Sequence, residues 1–71
     1  MNRSIDRLLI DTTTGFGLKV HRQALGIQAR AIARLMGVSR ARVAAIEAAR
    51  YPTRTARERY LDALRRAVEE R

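Results

Sequence analysis

The stretch Gln28–Ala49, QARAIARLMGVSRARVAAIEAA, decides the fold. Ala29, Ile32, Ala33 and Met36 recur at i, i+3, i+4 and i+7, which places them on one face of a helix running from Gln28 to about Met36. Gly37 follows where a helix end needs a left-handed residue, a conformation that glycine adopts without a Cβ penalty. Two residues on, Ser39 is placed to cap a second helix by accepting from its first-turn N–H groups. That helix is predicted from about Arg40 to Arg50. Val43, Ile46 and the aliphatic stem of Arg50 share its inner face, and Val38 plugs the corner between the two helices.

Two short helices joined at a steep angle by a Gly-containing turn form a helix-turn-helix unit. The pattern Gly26-Ile27, Ile32-Ala33, Met36-Gly37-Val38-Ser39-Arg40, Val43, Ile46-Glu47 and Pro52, with Arg22 four residues before Gly26, resembles the Cro/CI-type (Xre-like) helix-turn-helix family. The likeness covers roughly residues 15 to 66, and the combination of positions carries it. It implies an all-α fold, a compact four- to five-helix lambda-repressor-like domain over residues 15–71, with residues 1–14 as an N-terminal extension.

Length and composition agree. Seventy-one residues make one domain, near the lower limit for a self-sufficient core. Without cysteine, disulfides and Cys-based zinc sites are excluded. No apolar run approaches 18 residues, so no membrane span is expected. Ile5, Leu8, Leu9 and Ile10 are interrupted by Asp6, Arg7 and Asp11, which is not a signal-peptide core. A cytoplasmic location, on the nucleoid when bound to DNA, is expected. Fourteen Arg stand against one Lys, read here as the mark of a GC-rich genome.

The net charge of +8 is informative in its placement. Residues 22–59 hold nine Arg against Glu47 and Glu58, whereas residues 1–21 net +1 and 60–71 net zero. A basic surface concentrated on one unit is the footprint of a polyanion partner.

Residues 1–14 admit two readings. Ile5, Leu8 and Leu9 have helical spacing after Ser4, which fits packing on the core or on a second subunit. Arg3 and Arg7 would instead suit a flexible arm on DNA. The apolar residues favour packing. A Thr of the 12–14 run is expected to cap a helix from about Phe16 to Leu25, with Leu18 and Leu25 inward and Gly26 ending it. His21 is expected to be partly buried and bonded to backbone; one His with no Cys or second His nearby is not a metal site. Gly15-Phe16-Gly17 lacks a phosphate-loop context.

The resemblance implies that Arg22 pairs with Glu47 as a structural ion pair. Glu47 lies near the inner side of its helix, where an unpaired carboxylate would be costly. The candidate DNA-facing set is Gln28, Ala29, Arg30, Ser39, Arg40, Ala41, Arg42, Ala45, Arg50 and Arg54, of which the resemblance implies base contact at Arg40, Ala41 and Ala45, with Arg42 near bases or phosphate. The chain departs from the family at Ala29, which cannot supply a polar side chain. Free first-turn N–H groups can still face a phosphate there. Arg30 and Arg34 point outward and either meet the DNA backbone or stay solvated. Ala41, Ala44, Ala45 and Ala48 make the outer face of the second helix smooth. Alanine can touch a thymine methyl, and Arg40 or Arg42 can read guanine. Ala49 stands where the family often has Gly, so the helix is expected to run through about Arg50 until Tyr51-Pro52 breaks it.

Thr55-Ala-Arg-Glu58 has the pattern of a capping box for a last helix. Its apolar arc includes Tyr60, Leu61, Leu64 and Val68, the candidate contacts with a second copy. Asp62 with Arg65 or Arg66, and Arg66 with Glu69 or Glu70, are expected as surface pairs.

The function implied by the resemblance is sequence-specific duplex-DNA binding by a small dimeric regulator, a repressor of a phage, plasmid or mobile element, on an inverted repeat. The same fold could instead serve as a protein-interaction module, an antitoxin or anti-activator docking through its alanine face. An enzyme is not expected: the chain has no nucleophile–base pair, carboxylate dyad or metal cluster, and no cofactor is implied.

Overall fold

The computed structural model describes residues 11–71. Four helices follow in order: α1, Gly15–Ala24; α2, Ala29–Met36; α3, Arg40–Ala48; and α4, Arg54–Glu70. Among the described residues there is no strand. The expectations for Arg3, Ser4, Ile5, Arg7, Leu8 and Leu9 lie outside the described residues.

Local chemistry sets most of the helix ends. Thr14 Oγ1 accepts from Gly17 N–H at 2.9 Å, Ser39 Oγ from Arg42 N–H at 3.0 Å, and Thr53 Oγ1 from Ala56 N–H at 3.1 Å. Each bond satisfies a donor that a helix start leaves without a partner. Gln28 caps α2 with its backbone alone. Gly26 and Gly37 follow α1 and α2 at φ 73° and 71°. At the second turn the Val38 N–H returns to the Ala33 carbonyl at 3.0 Å, closing the helix in the Schellman manner.

Several boundaries differ from expectation. α3 ends at Ala48, because Ala49 turns extended at φ −70° and ψ 135° instead of continuing or going left-handed. That conformation frees the Ala49 carbonyl to accept from Gly15 N–H at 3.0 Å, joining the end of α3 to the start of α1. Arg50 therefore lies beyond α3 and does not share its inner face. α4 is capped by Thr53, not Thr55, so the expected capping box does not form and Glu58 pairs with Arg54 at 3.0 Å. Asp62 reaches both Arg65 and Arg66, but Glu69 is taken by Arg65 and Glu70 by Arg34, not by Arg66.

The core draws on every helix. Leu18 from α1, Ile32 and Met36 from α2, Val43 and Ile46 from α3, and Tyr60 and Leu64 from α4 form one core cluster, which Ile27 joins from the α1–α2 turn. Full burial of one such aliphatic side chain stabilises by about 1.5–3 kcal/mol. α4 packs across α1 and α2, and α3 is held between α1 and α2. Tyr60 and Leu64, expected at a subunit contact, are core residues at 0% and 2% exposure. Leu61 and Val68 are partly buried at its edge.

Gly15 and Gly17 have a packing role. A Cβ on Gly15 would strike the carbonyls of Ala49, Ile46 and Glu47, and one on Gly17 would strike the Asp11 carbonyl. Gly15 is thus the place where α1 touches the backbone of the α3 terminus, while Gly17 makes room for the chain that leads into α1.

Candidate nucleic-acid interface

α3 presents two unlike faces. Val43 and Ile46 are buried, while Arg40, Ala41, Arg42, Ala44, Ala45 and Ala48 are all exposed. Ser39, also exposed, is occupied as the N-cap. The ion pairs of the described residues do not involve Arg40 or Arg42. Since Glu47 is turned inward, these two guanidinium groups are the hydrogen-bonding side chains that α3 offers to a partner.

A polar network fixes the pose of α3. Arg22 from α1 donates through Nε to Glu47 Oε2 at 2.8 Å and through Nη2 to Oε1 at 3.3 Å, a two-pronged pair. Its Nη1 donates to the Ile27 carbonyl at 2.9 Å. The two side chains are 11% and 9% exposed. Tyr60 from α4 donates its hydroxyl proton to Glu47 Oε2 and has the Leu18 carbonyl as a second acceptor within reach at 3.3 Å. One carboxylate therefore ties α3 to α1 and α4 together. Hydrogen bonding to Glu47, with its charge, raises the Arg22 pKa against the effect of burial. Burial, then the Glu47 carboxylate beside it, pushes the Tyr60 phenol well above its usual range. Tyr60 was missed as a member of this network. Its signal was a polar tip on the inward arc of α4, which demands a buried partner.

The other expected residues fall in two places. Arg42 and Ala45 border a recess of about 190 Å³ with Tyr51, Pro52 and Thr53, so the outer face of α3 continues onto the α3–α4 turn. Arg54 is exposed at the start of α4 but paired with Glu58. Arg50 lies with its guanidinium 5.7 Å from the centroid of the Tyr51 ring. Gln28 and Arg30 border a different recess, of about 360 Å³, shared with Glu70 and Arg71 at the far end of α4. Ala29 is partly buried and Arg30 exposed.

Three further arginines are committed to the fold. Arg34 binds Glu70 at 2.7 Å, and this bond lowers the Glu70 pKa. Arg59 donates to the Met36 carbonyl at 3.0 Å and Arg71 to the Leu25 carbonyl at 2.6 Å, each closing the end of a neighbouring helix. Cations are favoured at those negative helix ends. His21 is half-buried, but its Nδ1 has no hydrogen-bond partner, contrary to the backbone bond expected at that residue.

A family model described as a helix-turn-helix domain matches residues 15–71. Comparison with curated proteins and with solved structures gives no match. Among the described residues, no helix is long and apolar enough to cross a membrane.

Proposed function

The chain belongs to the helix-turn-helix domain family, and from that premise we propose that it is a sequence-specific duplex-DNA-binding regulator of transcription of the Cro/CI (Xre-like) type. Residues 15–71 form the DNA-binding domain and residues 1–14 an extension. α3 enters the major groove with Arg40 and Arg42 against base edges, and its alanine strip lets the helix sit close to the base pairs. Gln28, Ala29 and Arg30 at the start of α2, and Arg50 and Arg54 after α3, lie against phosphates. The protein acts in the cytoplasm as a homodimer on an inverted repeat, repressing a promoter of a phage, plasmid or mobile element by occupying it. With Tyr60 and Leu64 in the core, Leu61 and Val68 remain as the subunit contacts carried by α4.

The observation that carries this proposal is the outer face of α3. It pairs two guanidinium groups free of ion pairs with a strip of small side chains, on a unit that holds most of the positive charge. A bidentate Arg–guanine contact is the commonest specific base contact. Selection of bound sequences from a random duplex pool, followed by footprinting, tests it. Enrichment of a two-fold symmetric site with guanine in each half supports the proposal. A pool that stays random, with no footprint, rejects it.

A second reading rests on the same strip. Ala41, Ala44, Ala45 and Ala48 are all exposed, and small residues also suit close helix packing. A protein partner that binds while duplex DNA does not would select an antitoxin or anti-activator.

A further inference from the structure

Phe16, Val20 and Ala24 recur at i, i+4 and i+8 of α1, so they line one face of that helix. Phe16 is 71% exposed, Ala24 is exposed, and Val20 is half-buried without belonging to the core cluster of the described residues. α1 uses other positions to pack on α3 and α4. Leu18 enters the core, Arg22 binds Glu47, and Gly15 N–H donates to the Ala49 carbonyl. The described helices thus leave α1 an apolar face largely uncovered.

The chain enters α1 beside this face. A Cβ on Gly17 would strike the Asp11 carbonyl, so the backbone at Asp11 runs against Gly17. Thr14 holds it there, its N–H and its hydroxyl both donating to that carbonyl, at 3.4 and 3.2 Å. Gly17 follows Phe16 and is the i, i+3 neighbour of Val20 on the helix surface. A residue spans at most about 3.3–3.6 Å, so Ile10 and Leu9 reach Phe16 and Val20 directly from Asp11.

We infer that the occupant of this face is the chain's own N-terminal segment: Ile5, Leu8 and Leu9 dock in cis on Phe16 and Val20 of α1. The sequence of the segment fits that surface. Ile5, Leu8 and Leu9 share one side at helical spacing, and Asp6 and Arg7 fall outside it. The tether decides between occupants. A segment joined through a short linker acts at an effective concentration on the order of millimolar, ahead of a second copy arriving from dilute solution. Docking makes the extension part of the fold instead of an arm on DNA, and the inference does not depend on the DNA-binding reading of α3.

The test is amide hydrogen exchange on the full chain, in the parent and in Val20→Asp, with circular dichroism as a folding control. Val20 stands outside the core cluster, so the variant is expected to keep its helical spectrum. The amides of residues 6–10 should exchange at least about tenfold more slowly in the parent than in the variant, the factor that covering one aliphatic side chain supplies. A second measurement identifies the chain that supplies the segment, and it decides alone if Val20→Asp loses helix. The protein has no cysteine, so Leu8→Cys or Leu9→Cys combined with Val20→Cys reports their proximity through disulfide formation. A cross-link within one chain is the expected result. Cross-linked dimers overturn the inference and assign the face to the segment of a second copy. No cross-link with either cysteine pair, equal exchange in parent and folded variant, or protection that arises only when duplex DNA is added overturns it as well.

Discussion

Replacing Glu47 by Ala is expected to remove a large share of the stability of this domain. The substitution leaves the Arg22 guanidinium, 11% exposed, with only the Ile27 carbonyl as acceptor, and leaves Tyr60 with only the Leu18 carbonyl. Breaking a buried pair in this way costs about 3–5 kcal/mol, because the surviving charge stays desolvated. A domain of this size is stable by about 4–11 kcal/mol in total. Each kcal/mol shifts Tm by about 4–8 °C in a chain this small, so a fall of at least about 12 °C is expected. Thermal and urea unfolding of Arg22→Ala, Glu47→Ala and the double variant are the assay. The double variant should cost less than the two single costs added, by about 1–3 kcal/mol, since the singles destroy one shared interaction. Tyr60→Phe removes one hydrogen bond to a charged group and should cost about 1.5–3 kcal/mol. If Glu47→Ala and Arg22→Ala both melt within about 2 °C of the parent, the network does not hold α3 and the reasoning fails.

DNA affinity should fall by roughly 10³–10⁵ between 50 and 200 mM salt, as expected when six to ten phosphates are neutralised; titration over a salt series checks it. Gly15→Ala should destabilise by about 1–3 kcal/mol even though alanine is the better helix former, because its Cβ meets the Ala49 and Ile46 carbonyls; a melting curve decides the sign. Arg40→Ala or Arg42→Ala should cost about 1–3 kcal/mol on the operator and relax one base pair per half-site, read by competition against substituted operators. Stability should decline in alkali. The Tyr60 pKa is raised in the fold, so the unfolded chain loses that proton first, near pH 10, and above it the fold weakens by up to about 1.4 kcal/mol per pH unit until the folded phenol ionises too. Urea unfolding across pH 9–11 on the parent and on Tyr60→Phe, which should lack this component, checks the assignment.

The parts of the fold that depend on local pattern were legible in the chain. The α2 stripe, the Gly37 turn and the Ser39 cap all rest on residues within a few positions of one another, and they lie where that pattern placed them. The Arg22–Glu47 pair was legible through the family likeness and through the cost of a lone inward carboxylate. What escaped is decided by distant neighbours. Ala49 goes extended because Gly15, far away in sequence, offers its N–H there. Tyr60 and Leu61 are adjacent on one apolar arc, yet only Tyr60 faces the Glu47 network. Arg59 and Arg71 reach carbonyls of other helices, and nothing near them in sequence marks those partners. The site divides in the same way: the outer face of α3 follows from periodicity, whereas its continuation through Tyr51 depends on how the turn folds back.

Equilibrium binding of Ala45→Glu to the selected operator tests the central claim most directly, with circular dichroism run beside it. Ala45 is exposed at the middle of the outer face of α3, so the substitution adds bulk and negative charge without entering the core. Loss of operator binding with an unchanged helical spectrum and Tm is the predicted result. Parent-like affinity for the operator would contradict it, because a glutamate at that position could not lie within the groove of a polyanion unnoticed.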